Sequence, residues 1–70
     1  MVELTAKEWA ITKLVASGFI NREIAVEIGT TEHVIKNKLR SIYDKLGLWN
    51  RTELAMWYVK HTLDDGGLRK

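Results

Sequence analysis

Apolar residues recur along this chain in steps of three and four, and nowhere in the alternating order of a strand. The clearest run is residues 31–46, Thr-Glu-His-Val-Ile-Lys-Asn-Lys-Leu-Arg-Ser-Ile-Tyr-Asp-Lys-Leu. At roughly 100° per residue, Ile35, Leu39, Ile42 and Leu46 share one narrow stripe. The opposite face carries His33, Asn37, Arg40 and Asp44, with Lys36 beside it and Lys38 and Lys45 along one flank. Gly18, Gly29 and Gly47 each close a helix-compatible segment, and Asn21, Thr31 and Asn50 follow them as capping candidates. The pattern predicts four helices, about 6–17, 22–28, 32–46 and 51–63, in an all-α fold.

Local signals refine these elements. Thr5-Ala-Lys-Glu8 is a capping box at the start of the first helix, whose expected stripe is Leu4, Ile11, Leu14 and Val15. Asn50-Arg-Thr-Glu53 is a second box at the start of the last. Residues 64–70, Asp-Asp-Gly-Gly-Leu-Arg-Lys, carry no apolar period and are expected to fray. The short second helix, the turn at Gly29-Thr30 and the long third helix form a helix-turn-helix. In DNA-binding proteins of that design the second helix of the pair enters the major groove while the first crosses the backbone. Helix pairs joined by a glycine turn also occur in proteins that never meet DNA, so the chemistry of the exposed face has to decide.

Seventy residues with 46% hydrophobic content make one small ordered domain. The absence of cysteine excludes a disulfide framework, a thiolate nucleophile and a Cys-based zinc site, and makes the cytoplasm the expected compartment. No apolar run approaches the roughly 18–20 residues of a membrane span, and the N-terminus lacks the order of a signal peptide. Net charge is only +2, but it is unevenly spread. Residues 31–51 hold Lys36, Lys38, Arg40, Lys45 and Arg51 against Glu32 and Asp44, which leaves six basic and seven acidic residues elsewhere. Positive charge gathered around one helix is the footprint of a double-stranded DNA partner, although a solvated helix face has the same composition. His33 and His61 lie on different helices with no acidic or cysteine partner at ligand spacing, and no glycine-rich phosphate loop is present. The expectation is no enzyme, with no catalytic residue, metal or cofactor.

Leu4-Thr5-Ala-Lys7-Glu8, Leu14-Val15-Ala16-Ser-Gly18, Asn21-Arg22-Glu23-Ile24-Ala25, Val34-Ile35-Lys36-Asn37, Ile42-Tyr43-Asp-Lys45-Leu46-Gly47 and Asn50-Arg51-Thr52-Glu53-Leu54-Ala55 follow one another along the chain at fixed spacing. In this joint spacing the chain resembles the LuxR-type (GerE-like, NarL/FixJ-like) DNA-binding domain from residue 4 to about 58. It departs from that pattern at Lys7, Ala10, Thr12, Ile20, Val34 and Lys38. Ile20 stands where a Ser or Thr usually caps the second helix, so Asn21 is expected to cap instead.

The resemblance implies a four-helix domain whose third helix reads DNA and whose fourth pairs two subunits. Lys36, Asn37 and Arg40 match the positions that face the bases, and their chemistry suits the task. Arg and Lys donate to guanine O6/N7, and Asn pairs bidentately with adenine. Phosphate contacts are expected from Thr31 at the helix N-terminus, and from Asn21, Arg22, Lys38, Lys45 and Arg51. Arg51 has an alternative task, fixing the start of the fourth helix with Asn50 and Glu53. Asp44 marks the point where the helix should leave the groove, since a carboxylate would repel phosphate.

Leu54-Ala-Met-Trp-Tyr-Val59 is apolar on nearly every side, more than one buried face of a terminal helix needs. Met56, Trp57, Val59 and Leu63 are therefore expected to form a homodimer interface, the alternative for Trp57 being packing against the first helix. Trp9 is expected to cover the space left by Thr12, and Trp49 to lie in the loop before the last helix. Either could also serve a further partner such as RNA polymerase or another regulator. The function these readings imply is sequence-specific DNA binding by a small stand-alone transcriptional regulator or by the C-terminal domain of a larger one. The competing reading is a protein-interaction module with weak or no DNA binding.

Overall fold

The computed structural model describes residues 4–64, and these form four helices with no strand among them: α1 (Ala6–Ala16), α2 (Asn21–Ile28), α3 (Glu32–Leu46) and α4 (Arg51–Asp64). Asp64, expected to begin a frayed tail, is the last residue of α4, and residues 65–70 lie outside the described residues.

The predicted box at α1 is closed. The Glu8 backbone N–H donates to Thr5 Oγ1 at 3.1 Å, and the Thr5 N–H donates to Glu8 Oε1 at 2.9 Å. Thr31 caps α3 by accepting from the Val34 N–H at 3.2 Å. Gly29 and Gly47 end α2 and α3 with φ of +86° and +70°, in the left-handed region that a Cβ disfavours.

Two cap assignments need correction. Asn21 does not cap α2 but is its first residue; Ile20 occupies the cap position without a side-chain acceptor. The Glu23 carboxylate takes up the Ile20 N–H at 3.0 Å, half of a capping box, and this suffices to start the helix one residue early. At α4, Asn50 Oδ1 accepts from the Glu53 N–H at 2.9 Å, as expected. The returning carboxylate of Glu53, however, accepts from Trp49 N–H at 2.7 Å and not from Asn50.

Every helix contributes to one core: Ile11 and Val15 from α1, Ile24 and Ala25 from α2, Ile35, Leu39 and Ile42 from α3, and Leu54 from α4. Leu4, Leu14 and Leu46, also expected inside, are half-buried and pack against it. Thr12 is fully buried, and its hydroxyl donates to the Glu8 carbonyl at 2.8 Å, so this buried polar atom is not left unpaired. α4 lies chiefly along α1 and α2 along α3. The α2–α3 pair thus presents its outer surface on the side not covered by α4. No helix among the described residues is long and apolar enough to cross a membrane.

Candidate nucleic-acid interface

Burial of Ile35, Leu39 and Ile42 fixes the rotation of α3, and with it the direction of every polar side chain on the helix. His33, Lys36, Asn37 and Arg40 are exposed. Lys36, Asn37 and Arg40 line a polar cleft whose other wall is Asn21 of α2, Arg51 of α4 and Tyr43 of α3. Three helices therefore bring together residues that lie far apart in sequence. The only ion pair among the described residues involves Lys45 and Glu8, so the cations of Lys36, Lys38 and Arg40 have no carboxylate to neutralise them. Asn37 Nδ2 approaches His33 Nε2 at 3.4 Å, one turn away, which leaves its carboxamide oxygen uncommitted.

Arg51 and Asn21 are joined. Arg51 Nη1 donates to Asn21 Oδ1 at 2.7 Å, and Nη2 donates to the Phe19 carbonyl. The guanidinium ties the first residue of α4 to the start of α2 and to the turn before it. Tyr43, beside it in the cleft, was not singled out by the sequence reading. Its spacing three residues after Arg40 and seven after Lys36 is the signal that could have found it. Burial pushes its phenol up from the ordinary value of 10.0, and the Arg51 charge opposes that rise. It stays a neutral hydroxyl, able to donate or accept.

The other expected phosphate ligands are distributed differently. Thr31 is exposed at the N-terminus of α3, its oxygen holding the Val34 N–H while its hydroxyl proton remains available. Lys38 is half-buried on the flank of α3. Arg22 is exposed, but it lines a recess with Phe19, Val26, Glu23 and Glu27 and not the α3 cleft. Lys45 is set apart. Its Nζ donates to Glu8 Oε1 at 2.8 Å, joining the end of α3 to α1, where the carboxylate is nearly enclosed. That bond, then the Thr5 backbone N–H, holds the Glu8 carboxyl below its ordinary 4.5 against the opposing effect of burial.

The apolar excess of α4 divides in two. Met56 and Val59 are 65% and 48% exposed. Trp57 is half-buried, its ring 5.4 Å from that of Trp9 on α1 and tilted by 39°, with the His61 ring stacked on it at 4.0 Å. Packing on α1 is thus what occupies Trp57 within one chain, with Tyr58 completing the cluster edge-on to Trp9. Trp9 is thus engaged with the aromatic rings of α4. The side chain of Leu63, the fourth member expected in the patch, lies outside the described residues. Trp49, 87% exposed, borders the same surface with Met56 and Lys60. No group of three His, Cys, Asp or Glu among the described residues is placed to hold a metal ion.

Residues 2–58 match the family described as bacterial regulatory proteins, luxR family. The chain is 43% identical over 51 residues to the transcriptional regulatory protein YdfI of Bacillus subtilis, an overlap covering 73% of this chain and 24% of that protein. It is 42% identical over 50 residues to the HTH-type transcriptional regulator MalT of Vibrio campbellii, and 40% identical over 50 residues to that of Serratia proteamaculans. These overlaps cover 71% of this chain and 6% of each MalT. The chain therefore spans about a quarter or less of the length of these curated relatives.

Proposed function

The chain belongs to the luxR family of bacterial regulatory proteins, and from that premise we propose that it binds double-stranded DNA as a transcriptional regulator, with α3 laid in the major groove. The observation that carries this reading is the cleft face of α3. Lys36, Asn37 and Arg40 stand there together, exposed, with no carboxylate partner for either cation. Lys36 and Arg40 are assigned to guanine edges and Asn37 to adenine. Thr31, Lys38, Asn21 and Arg22 are assigned to phosphates. Lys45 and Arg51 are left out of that set, because their cations are held on Glu8 and on Asn21 with the Phe19 carbonyl.

Two copies are proposed to pair through the exposed part of α4, Met56 and Val59 with Trp49 beside them. Such pairing sets two α3 helices on half-sites about one DNA turn apart. The compartment that fits is the cytoplasm. Selection from random duplex DNA, followed by binding at two salt concentrations, tests the reading. A roughly two-fold-symmetric site with a steep salt dependence is expected. Lys36→Ala or Arg40→Ala should each cost about 1–3 kcal/mol on the selected site and relax its sequence. Loss of affinity with an unchanged base preference would remove these residues from the bases.

A further inference from the structure

Arginine beside a basic cleft is ordinarily read as a phosphate ligand, yet here both terminal nitrogens of the guanidinium are already engaged within the fold. Arg51 has no acceptor capacity, so Asn21 must face it with Oδ1, and the 2.7 Å bond fixes which end of the carboxamide is which. The second donation, to the Phe19 carbonyl, locks the fork in place between α4 and the turn before α2. Asn21 lines the cleft with Lys36 and Arg40, and its Nδ2 takes no acceptor among the described residues. What it offers outward is a pair of N–H donors, matched to an anionic oxygen, which only accepts.

We propose that Arg51 is a positioning residue that does not itself meet the DNA, but orients the Asn21 carboxamide so that its Nδ2 donates to a backbone phosphate. This rests on the DNA-binding reading above and adds a division of labour to it. The cation shapes a neutral donor, and the neutral donor makes the contact. Arg51 also links the helix proposed to pair two copies to the helix that crosses the backbone, through one side chain.

Asn21→Asp is the sharpest variant. The carboxylate keeps an acceptor for Arg51, so the melting temperature should equal or exceed that of the wild type, while the outward amide becomes an oxygen that repels phosphate. DNA affinity should fall about ten-fold or more, equally on all sequences. Arg51→Gln and Arg51→Lys should both weaken binding severalfold and leave the salt slope unchanged, since no phosphate-bound cation is removed. Removing a direct contact would lower the slope by about one. Lysine keeps the charge without the fork, so it should rescue a direct contact but not an orienting one. In an Asn21→Ala background, either Arg51 change should have little further effect on binding. Melting of every variant separates lost folding from lost binding.

A lower salt slope for Arg51→Gln, rescue by lysine, additive losses in the double variants, or wild-type affinity for Asn21→Asp would each overturn the proposal. If the wild type binds its selected site with a steep salt slope and one of these results appears, only the positioning role falls. If the wild type binds no duplex at all, the regulator reading falls and takes this inference with it.

Discussion

Lys45→Ala separates a structural lysine from a DNA-binding one. The Nζ–Oε1 distance of 2.8 Å corresponds to about 1.5 kcal/mol of attraction at the dielectric of water and about 6 kcal/mol at an effective value near 20. The pair lies between these limits, because the Glu8 side chain is 7% exposed and that of Lys45 is 38% exposed. Solvent around the lysine screens the interaction, and ordering its long side chain offsets part of the gain. Truncation nevertheless leaves a nearly enclosed carboxylate with only the Thr5 backbone to satisfy it. Exposed pairs contribute about 0–1 kcal/mol and the breaking of buried ones costs about 3–5 kcal/mol, so a loss of about 2 kcal/mol is expected. For a domain of this size that lowers the melting temperature by roughly 10 °C. Thermal unfolding followed by circular dichroism measures it, and DNA titrations over a range of salt supply the second readout. Below its own melting point the variant should keep the wild-type salt slope. A melting temperature within about 2 °C of the wild type would refute the enclosed-carboxylate reasoning. A slope lower by about one would put Lys45 on a phosphate after all.

The same pair imposes a pH dependence. The Glu8 carboxyl is held below its ordinary 4.5, mainly by Lys45, so its contribution to stability is present above that value. It is lost as pH falls through the lower, folded value; urea midpoints should drop more steeply below 4.5 in the wild type than in Glu8→Gln, and equal acid sensitivity would count against the pair. Ile20→Thr should stabilise the protein by about 1 kcal/mol, because Ile20 sits at the cap of α2, 55% exposed, with no side-chain acceptor. No gain in midpoint would mean that Glu23 already supplies all the capping the helix start can use. Met56→Glu with Val59→Glu should leave the monomer folded and abolish pairing and two-fold site binding, as read by sedimentation with and without DNA. A variant that still pairs would move the interface elsewhere.

What was legible in the sequence was what depends on neighbours a few residues away. The stripe Ile35, Leu39 and Ile42, the Thr5–Glu8 box and the glycine stops all act within one or two turns, and they appear where the spacing placed them. Lys45–Glu8 and Arg51–Asn21 join residues 37 and 30 positions apart, and no local period can announce such a partner. Along the chain, a cation near a basic helix looks the same whether or not it has a partner in the fold, so Lys45 was expected at a phosphate and Arg51 either there or at the start of the fourth helix. Trp57 was ambiguous for a different reason. α4 is apolar on nearly every side, so periodicity names no preferred face, and the choice falls to Trp9 on the helix it packs against. Asn21 misled through its type: a good capping residue stands next to a position whose N–H Glu23 had already taken.

These long-range pairings change where the positive charge of residues 31–51 acts. Lys45 is neutralised at the C-terminal end of α3 by a carboxylate from α1, and Arg51 is aimed at neutral acceptors between α2 and α4. The cations left without partners on α3 are Lys36, Lys38 and Arg40, all in its first nine residues, beside the Thr31 cap and the positive end of the helix dipole. Glu32, in the first turn, favours that dipole, while Asp44 stands in the other half of the helix with the neutralised Lys45. The positive charge is therefore graded along α3, strongest in its N-terminal half, the half that the proposed reading lays against base edges, and weakest at its C-terminal end. A long-range attraction to phosphate would then draw the N-terminal half of α3 toward the groove first.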